Sequence, residues 1–269
     1  MSIVESDLTA LAFCWRIERR DGIAIGHTSH DRDLDIGGLV YRASPGMLPS
    51  AIGLSEGFDD LSLDVRGAIS SEAITAADLA AGRWDGATVS VFMADWEAPD
   101  SAPIEIARGE IGDVSVRANA FEAELRGLAT ALDRPVVEQT APECRAELGD
   151  KRCRVELAPL THLARVLTVP GETMLEVSLA AGTHFRNGRM RWLTGANSGL
   201  AVEIASGDGG ILTLRDVPHF APAPGDIVEI LEGCDKSLAT CIGRFANAIN
   251  FRGEPHLPGT DLLTRYPGA

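Results

Sequence analysis

Residues 163–233 read LARVLTVPGETMLEVSLAAGTHFRNGRMRWLTGANSGLAVEIASGDGGILTLRDVPHFAPAPGDIVEILEG. The segments LARVLTVPG, TMLEVSL, GRMRWLTG, LAVEIAS, ILTLRDVP and DIVEILEG are short and rich in branched apolar residues, and Gly, Pro, Asn and Asp separate them. That punctuation predicts strands joined by turns, and Gly207-Asp208-Gly209-Gly210 suits a hairpin turn between two of them. Several short strands at regular spacing predict a small β-barrel or sandwich beginning after Pro159.

Upstream the pattern is also mainly β. AFCWRIER alternates apolar and polar residues, Asp21-Gly22 makes a turn, and IAIGHTSH returns as the second strand of a hairpin. LDIGGLVYRA predicts a tight hairpin across Gly37-Gly38. ITAADLAAG is the clearest helix, with Thr75 as N-cap and Gly82 as the stop. Strand-like ATVSVFMADW, IEIARGEIGDVSV and AFEAELRGLA follow, the last two joined at Arg117-Ala118-Asn119.

The fold class predicted is therefore mainly β. A β-rich domain with a short helix spans 1–140, a first cysteine segment 141–160, the small β-barrel 161–232, and a second cysteine segment with a C-terminal arm 233–269. The arm starts helical and ends as an extended tail, because its Pro and Gly content does not support a separate domain.

Four cysteines flank the barrel: Cys144 and Cys153 in PECRAELGDKRC, Cys234 and Cys241 in GCDKSLATC. They sit among turn formers and charged residues, which suits ligation better than burial in a strand. Four thiolates complete a tetrahedral zinc site or a cubane iron-sulfur cluster. Zinc knuckles usually leave two to four residues between paired ligands. Here the gaps are eight and six. Wider loops suit the separated corners of a cluster, but the spacing leaves zinc, two local disulfides and unligated thiols open. One pair enters the barrel block and the other leaves it, so joining them would clamp the barrel at its mouth.

At 269 residues the chain can bury a sizeable core in one large or two modest domains. Five cysteines, an odd number, and the absence of an apolar targeting segment in MSIVESDLTALAFCWRIERRDG point to a reducing cytoplasm. No apolar stretch is long enough to span a bilayer. A formal net charge of -15 without a long basic run disfavours binding to nucleic-acid phosphates and predicts no sequence-specific nucleic-acid contact.

Other residues weigh toward ordinary roles. His27, His30, Asp31 and Asp33 in HTSHDRD could form a metal or acid/base cluster, but at a hairpin end they are expected to bond the backbone or face solvent. Asp59, Asp60 and Asp64 could be paired carboxylates, yet strand alternation already puts Asp60 and Asp64 on one solvated face. His184, His219 and His256 are scattered, without HExxH spacing, and no Walker or Rossmann glycine pattern is present. Cys14 and Arg16 share one strand face, opposite Phe13, Trp15 and Ile17, with Cys14 expected to be a small half-buried side chain. Trp84, Trp96 and Trp192 are expected to pack in cores or interfaces rather than bind sugars. Arg189 and Arg191 share a strand face and could meet an acidic partner or an adjacent subunit.

The segments CWRIERRDGIAIGHTSHDRDL, ECRAELGDKRC, GRMRWLTGANSGL and GCDKSLATCIGRFANAINFRGEPHLPG together resemble a phage family found in prophages and gene transfer agents, whose members look like baseplate hub or tail-tip proteins. The resemblance covers nearly the whole chain. The paired cysteines are also similar to those of the tail-tip protein of lambda-like siphophages, where four cysteines hold a [4Fe-4S] cluster. Carried over by position, the implied ligands are Cys144, Cys153, Cys234 and Cys241. The resemblance further implies a non-enzymatic structural hub, usually a homotrimeric ring that closes the tail tube. Its partners would be the distal tail protein and a central tip or fibre protein. It would reside in the bacterial cytoplasm during assembly and then at the tail tip of the particle. The alternatives are a zinc or iron-sulfur enzyme and a tail-associated cell-wall hydrolase, which would need an open coordination position or a nucleophile with its base.

Overall fold

The computed structural model describes residues 10–43, 47–49, 62–68, 74–117, 120–126, 137–180 and 182–256. The chain divides into two compact units, Met1–Pro135 and Val136–Ala269.

The first unit is built on β1 (Leu11–Glu18), β2 (Ala24–Thr28), β3 (Leu34–Ile36), β4 (Leu39–Ala43), β5 (Met47–Pro49), β6 (Ser62–Ala68), α1 (Ala76–Ala80), β7 (Thr88–Asp95), β8 (Ile104–Arg117) and β9 (Ala120–Arg126). The strands form one nine-stranded sheet ordered β3-β4-β2-β1-β7-β8-β9-β6-β5. β1 and β2 form the expected antiparallel hairpin, with Cys14 opposite Thr28 and Glu18 opposite Ala24. β3 and β4 turn tightly at Gly37 and Gly38, with φ of +60° and +79°, a conformation that costs glycine little and other residues more. The β2–β4 pairing is parallel and was not anticipated from the sequence. Thr75 caps α1 as expected, its hydroxyl accepting the Asp78 N–H at 3.0 Å.

Both faces of the central strands are covered. Trp15, Ile17, Val89 and Val91 pack with Ile74, Leu79 and Trp84 on one face. Ala12, Cys14, Phe92 and Ala94 pack with Leu34 and Tyr41 on the other. Double burial explains the near-continuous apolar run of ATVSVFMADW. It also corrects the expectation for Cys14, which is fully buried rather than half-buried, its thiol lying 3.6 Å from the Thr28 hydroxyl.

The second unit contains the barrel. Its strands are β10 (Thr161–Gly171), β11 (Met174–Val177), β12 (Arg189–Trp192), β13 (Ala201–Asp208), β14 (Ile211–Leu214) and β15 (Ile227–Leu231). They close in the order β10-β11-β14-β13-β12-β15. Alternation sends Val166, Leu175, Met190, Trp192, Ile204, Leu212, Val228 and Ile230 inward, where Phe185 joins them. These side chains fill the interior, so the barrel is a packed core. Fully burying a large apolar side chain stabilises a fold by about 1.5–3 kcal/mol, which makes this cluster the main source of the unit's cohesion. The loop after β14 is pinned by buried Asn197, whose amide donates to the Phe220 carbonyl at 2.7 Å and accepts the Phe220 N–H at 3.1 Å. Among the described residues, no helix is long and apolar enough to cross a membrane.

Candidate functional site

The four cysteines come together within the second unit, around one cavity whose apolar wall includes Leu148, Val155 and Phe245. All four are free thiols. Local hydrogen bonds explain how each is presented.

Asp150 organises the first pair. Its carboxylate accepts the N–H groups of Cys153 at 2.6 Å, Arg152 at 2.9 Å and Glu147 at 3.1 Å, a short-range staple for which aspartate is suited. The Cys153 N–H is the leading reason that the Asp150 carboxyl is held below its ordinary range. Arg154, next in the chain, adopts φ of +61° and donates its N–H back to the Asp150 carbonyl at 2.8 Å.

The second pair is set by a helix start. Ser237 caps α2 (Leu238–Gly243), its hydroxyl accepting the Thr240 N–H at 3.1 Å. Asp235 accepts the Ser237 N–H at 2.9 Å and the Thr240 hydroxyl at 2.8 Å. Cys234 therefore lies before the cap, and Cys241 lies on the helix itself, where it is buried. Lys236, between them, has φ of +62°.

The two pairs are stitched together. The Cys144 N–H donates to the Lys236 carbonyl at 2.9 Å, and the Lys236 ammonium donates to the Ala146 carbonyl at 2.6 Å. The Arg252 N–H points at the Cys144 sulfur at 3.4 Å. Two stretches far apart in sequence, 144–153 and 234–252, thus meet at the thiols.

Burial pushes the Cys234 and Cys241 thiols up, and for Cys241 the neighbouring Cys144, Cys234 and Cys153 push further in the same direction. A bound cationic centre would offset both effects at Cys234 and Cys241. Four thiol donors around one cavity, with the Arg252 N–H and the Asn247 side-chain amide directed at sulfur, are the donor chemistry that a metal-sulfur group takes. Among the described residues, no three His, Cys, Asp or Glu side chains form a group close enough to hold one ion. The sulfurs ring a cavity rather than meet at a point.

Beside the cavity, Glu232 gathers partners that the sequence did not reveal. Its carboxylate meets His162 Nε2 at 2.7 Å and His184 Nε2 at 3.9 Å, and it also takes the Arg244 guanidinium. Arg244 donates in addition to the Gly233 carbonyl at 2.6 Å. Burial alone would raise the Glu232 carboxyl, but the His162 and Arg244 hydrogen bonds outweigh it and the group is held low. This knot fastens the end of α2 to the ends of β10 and β15. His184, which the sequence leaves without a partner at HExxH spacing, finds one here in Glu232. His162 and Arg244 carried no local signal, because their common partner lies 70 and 12 residues away.

The remaining candidates separate. His30 accepts the Arg32 N–H at 3.1 Å and Asp33 accepts the Ala43 N–H at 2.8 Å, as expected for residues bonding the backbone. His27 differs: it is buried, and neither ring nitrogen has a hydrogen-bond partner. Its strand register sets it opposite Trp15, on a covered face, and burial together with the Arg42 charge pushes its pKa down. Asp59 and Asp60 lie outside the described residues, and Asp64 is described only as part of β6. Trp84 and Trp192 are buried as expected, while Trp96 lies outside the core: it is exposed, with its ring 5.1 Å from that of His30. Arg191 pairs with Glu229 at 3.1 Å on the outer face of the barrel, where β12 also carries Arg189. His219 lies in the loop after β14, and His256 is exposed.

Residues 2–156 match the family described as baseplate hub protein, N-terminal attachment domain, and residues 183–261 match the family described as phage conserved hypothetical protein BR0599. The chain belongs to the phage baseplate hub protein family. Its fold is similar to that of a chain in the structure described as "Virion of native gene transfer agent (GTA) particle". The two are 38% identical with a TM-score of 0.83, and the match covers 98% of this chain and 94% of the other. No curated protein matches the chain.

Proposed function

We propose that this chain is a structural hub at the tail tip of a phage-like particle, closing the tail tube and linking the distal tail protein to the central tip. The observation that carries the proposal is the near end-to-end likeness to a gene transfer agent virion chain. In this reading the chain forms a homotrimer, is made in the bacterial cytoplasm, and is carried into the particle. Among the described residues the nine-stranded sheet has β3 and β5 at its edges, and neighbouring copies in a ring are one means of covering such edges.

The four cysteines are the ligands of a [4Fe-4S] cluster in the same proposal. Support comes from their arrangement around one cavity and from the N–H groups directed at sulfur. A bound cluster supplies four metal-thiolate crosslinks. The chain's own part is to hold the segments around 144–153 and 234–241 together and to keep water from the sulfurs with Leu148, Val155 and Phe245. The role is one of folding and rigidity.

Deleting the coding sequence in a producing strain tests the hub assignment. The expected result is particles without a closed tip that fail to deliver DNA, restored when the chain is supplied in trans. Intact, delivery-competent particles without the chain would overturn it.

A further inference from the structure

Asn247 makes contacts that reach a cysteine of each pair. Its backbone N–H donates to the Cys241 carbonyl at 2.9 Å. Its side-chain Nδ2 donates to the Cys153 carbonyl at 2.6 Å and lies 3.8 Å from the Cys153 sulfur. Its Oδ1 accepts from Asn250 Nδ2 at 2.7 Å. The orientation of the amide follows from these partners, because a flip would set Oδ1 against the Cys153 carbonyl, acceptor against acceptor. The residue before it, Ala246, has φ of +48°, a left-handed conformation that an L-residue adopts at a cost. The chain accepts that strain at the turn that delivers Asn247 to the cavity.

We infer that Asn247 is a positioning residue for the cysteine set: its side-chain amide keeps Cys153 facing the cavity and directs an N–H at the Cys153 sulfur. The inference deepens the ligand role given to the cysteines above and rests on it. Cys144 receives its N–H from the Arg252 backbone, which a change of side chain other than to proline leaves in place, whereas the donor to Cys153 belongs to a side chain and can be deleted. Hydrogen bonds to ligand sulfur stabilise the more negative, reduced state, so they raise the reduction potential of a metal-sulfur centre.

The test compares the anaerobically purified full chain with Asn247→Ala, Asn247→Asp and Asn247→Gln. Asn247→Asp is nearly isosteric and keeps the acceptor for Asn250, which guards against simple failure to fold. At equal iron and sulfide content, the midpoint potential is expected to fall in Asn247→Ala, fall further in Asn247→Asp, and move back toward the parent in Asn247→Gln. Unchanged potentials across the series would overturn the inference. In metal-free protein, the alkylation rate of Cys153 is expected to rise several-fold in Asn247→Ala while that of Cys144 stays the same. An unchanged Cys153 rate would overturn the positioning role. A parent chain without iron and sulfide would refute the cluster, and the alkylation rates would still decide the role of Asn247.

Discussion

Arg145 grips Glu254 with both arms of its guanidinium, Nη2 to Oε1 at 2.9 Å and Nη1 to Oε2 at 2.5 Å, across 109 positions of sequence. The backbone repeats the contact, with the Ala141 N–H donating to Glu254 Oε2 at 2.9 Å and the Glu254 N–H to the Ala141 carbonyl at 2.8 Å. Arg145 also holds Glu138 at 3.0 Å. The start of the second unit and the chain after α2 are therefore zipped together next to Cys144.

That zipper should be acid-sensitive. The Arg145 hydrogen bond, followed by the Ala141 N–H, holds the Glu254 carboxyl below its ordinary 4.5, and Arg145 does the same for Glu138. A carboxyl depressed in the folded state contributes stability that is present above its unfolded value and is lost as pH falls through the folded one. Protection factors of the Glu254 and Arg145 amides, taken relative to the intrinsic rate at each pH, should therefore be high at neutral pH and fall below about pH 4.5. In Glu254→Gln protection should be low at neutral pH too. Protection that is independent of pH would contradict the zipper.

Removing the Ser237 cap should loosen Cys241. Ser237→Ala leaves the Thr240 N–H without its acceptor, at a cost of about 1 kcal/mol. A lower urea midpoint with an unchanged slope is expected, together with faster alkylation of Cys241. Thr75→Ala, the equivalent change in α1, should cost a similar amount while leaving Cys241 alkylation unaltered.

Gly233 has no room for a side chain. A Cβ there would lie 1.8 Å from the Arg186 carbonyl oxygen and 2.5 Å from the Asn187 carbonyl carbon, both backbone atoms. Gly233→Ala should therefore force the 186–188 turn and Cys234 apart and destabilise by about 1–3 kcal/mol or more. Thermal melting measures the loss, and an unchanged melting temperature would mean that the strand end and the turn do not pack this closely.

The barrel should distinguish its inner face from its outer face. Ile230 is 0% exposed and Leu163 is 68% exposed. Ile230→Ala should cost about 2–5 kcal/mol in urea unfolding, and Leu163→Ala should stay within about 0.5 kcal/mol of the parent. Similar losses at both positions would mean that the outer face is also covered.

Much of this was legible locally. The hairpin at Gly37-Gly38, the Thr75 cap and the six barrel strands follow from patterns within ten residues of each other. What escaped depends on residues distant in sequence. The parallel β2–β4 pairing, the order of strands around the barrel, the Arg145–Glu254 grip and the Glu232 knot all join positions whose nearness no local pattern encodes. His27 and Cys14 were expected to be more exposed because one strand alone suggests one wet face, and the sheet covers both. For the site, the four cysteines were found from composition and spacing, whereas Asn247 lay in FANAIN without a mark of its role.

In the proposed function Cys144, Cys153, Cys234 and Cys241 hold one cluster. Anaerobic purification followed by the visible spectrum and by iron, sulfide and zinc analysis tests it directly. The expected result is a broad absorbance near ~400 nm with about four irons and four sulfides per chain, lost in Cys144→Ser or Cys241→Ser. One zinc per chain without colour, or four free thiols and no metal, would contradict it.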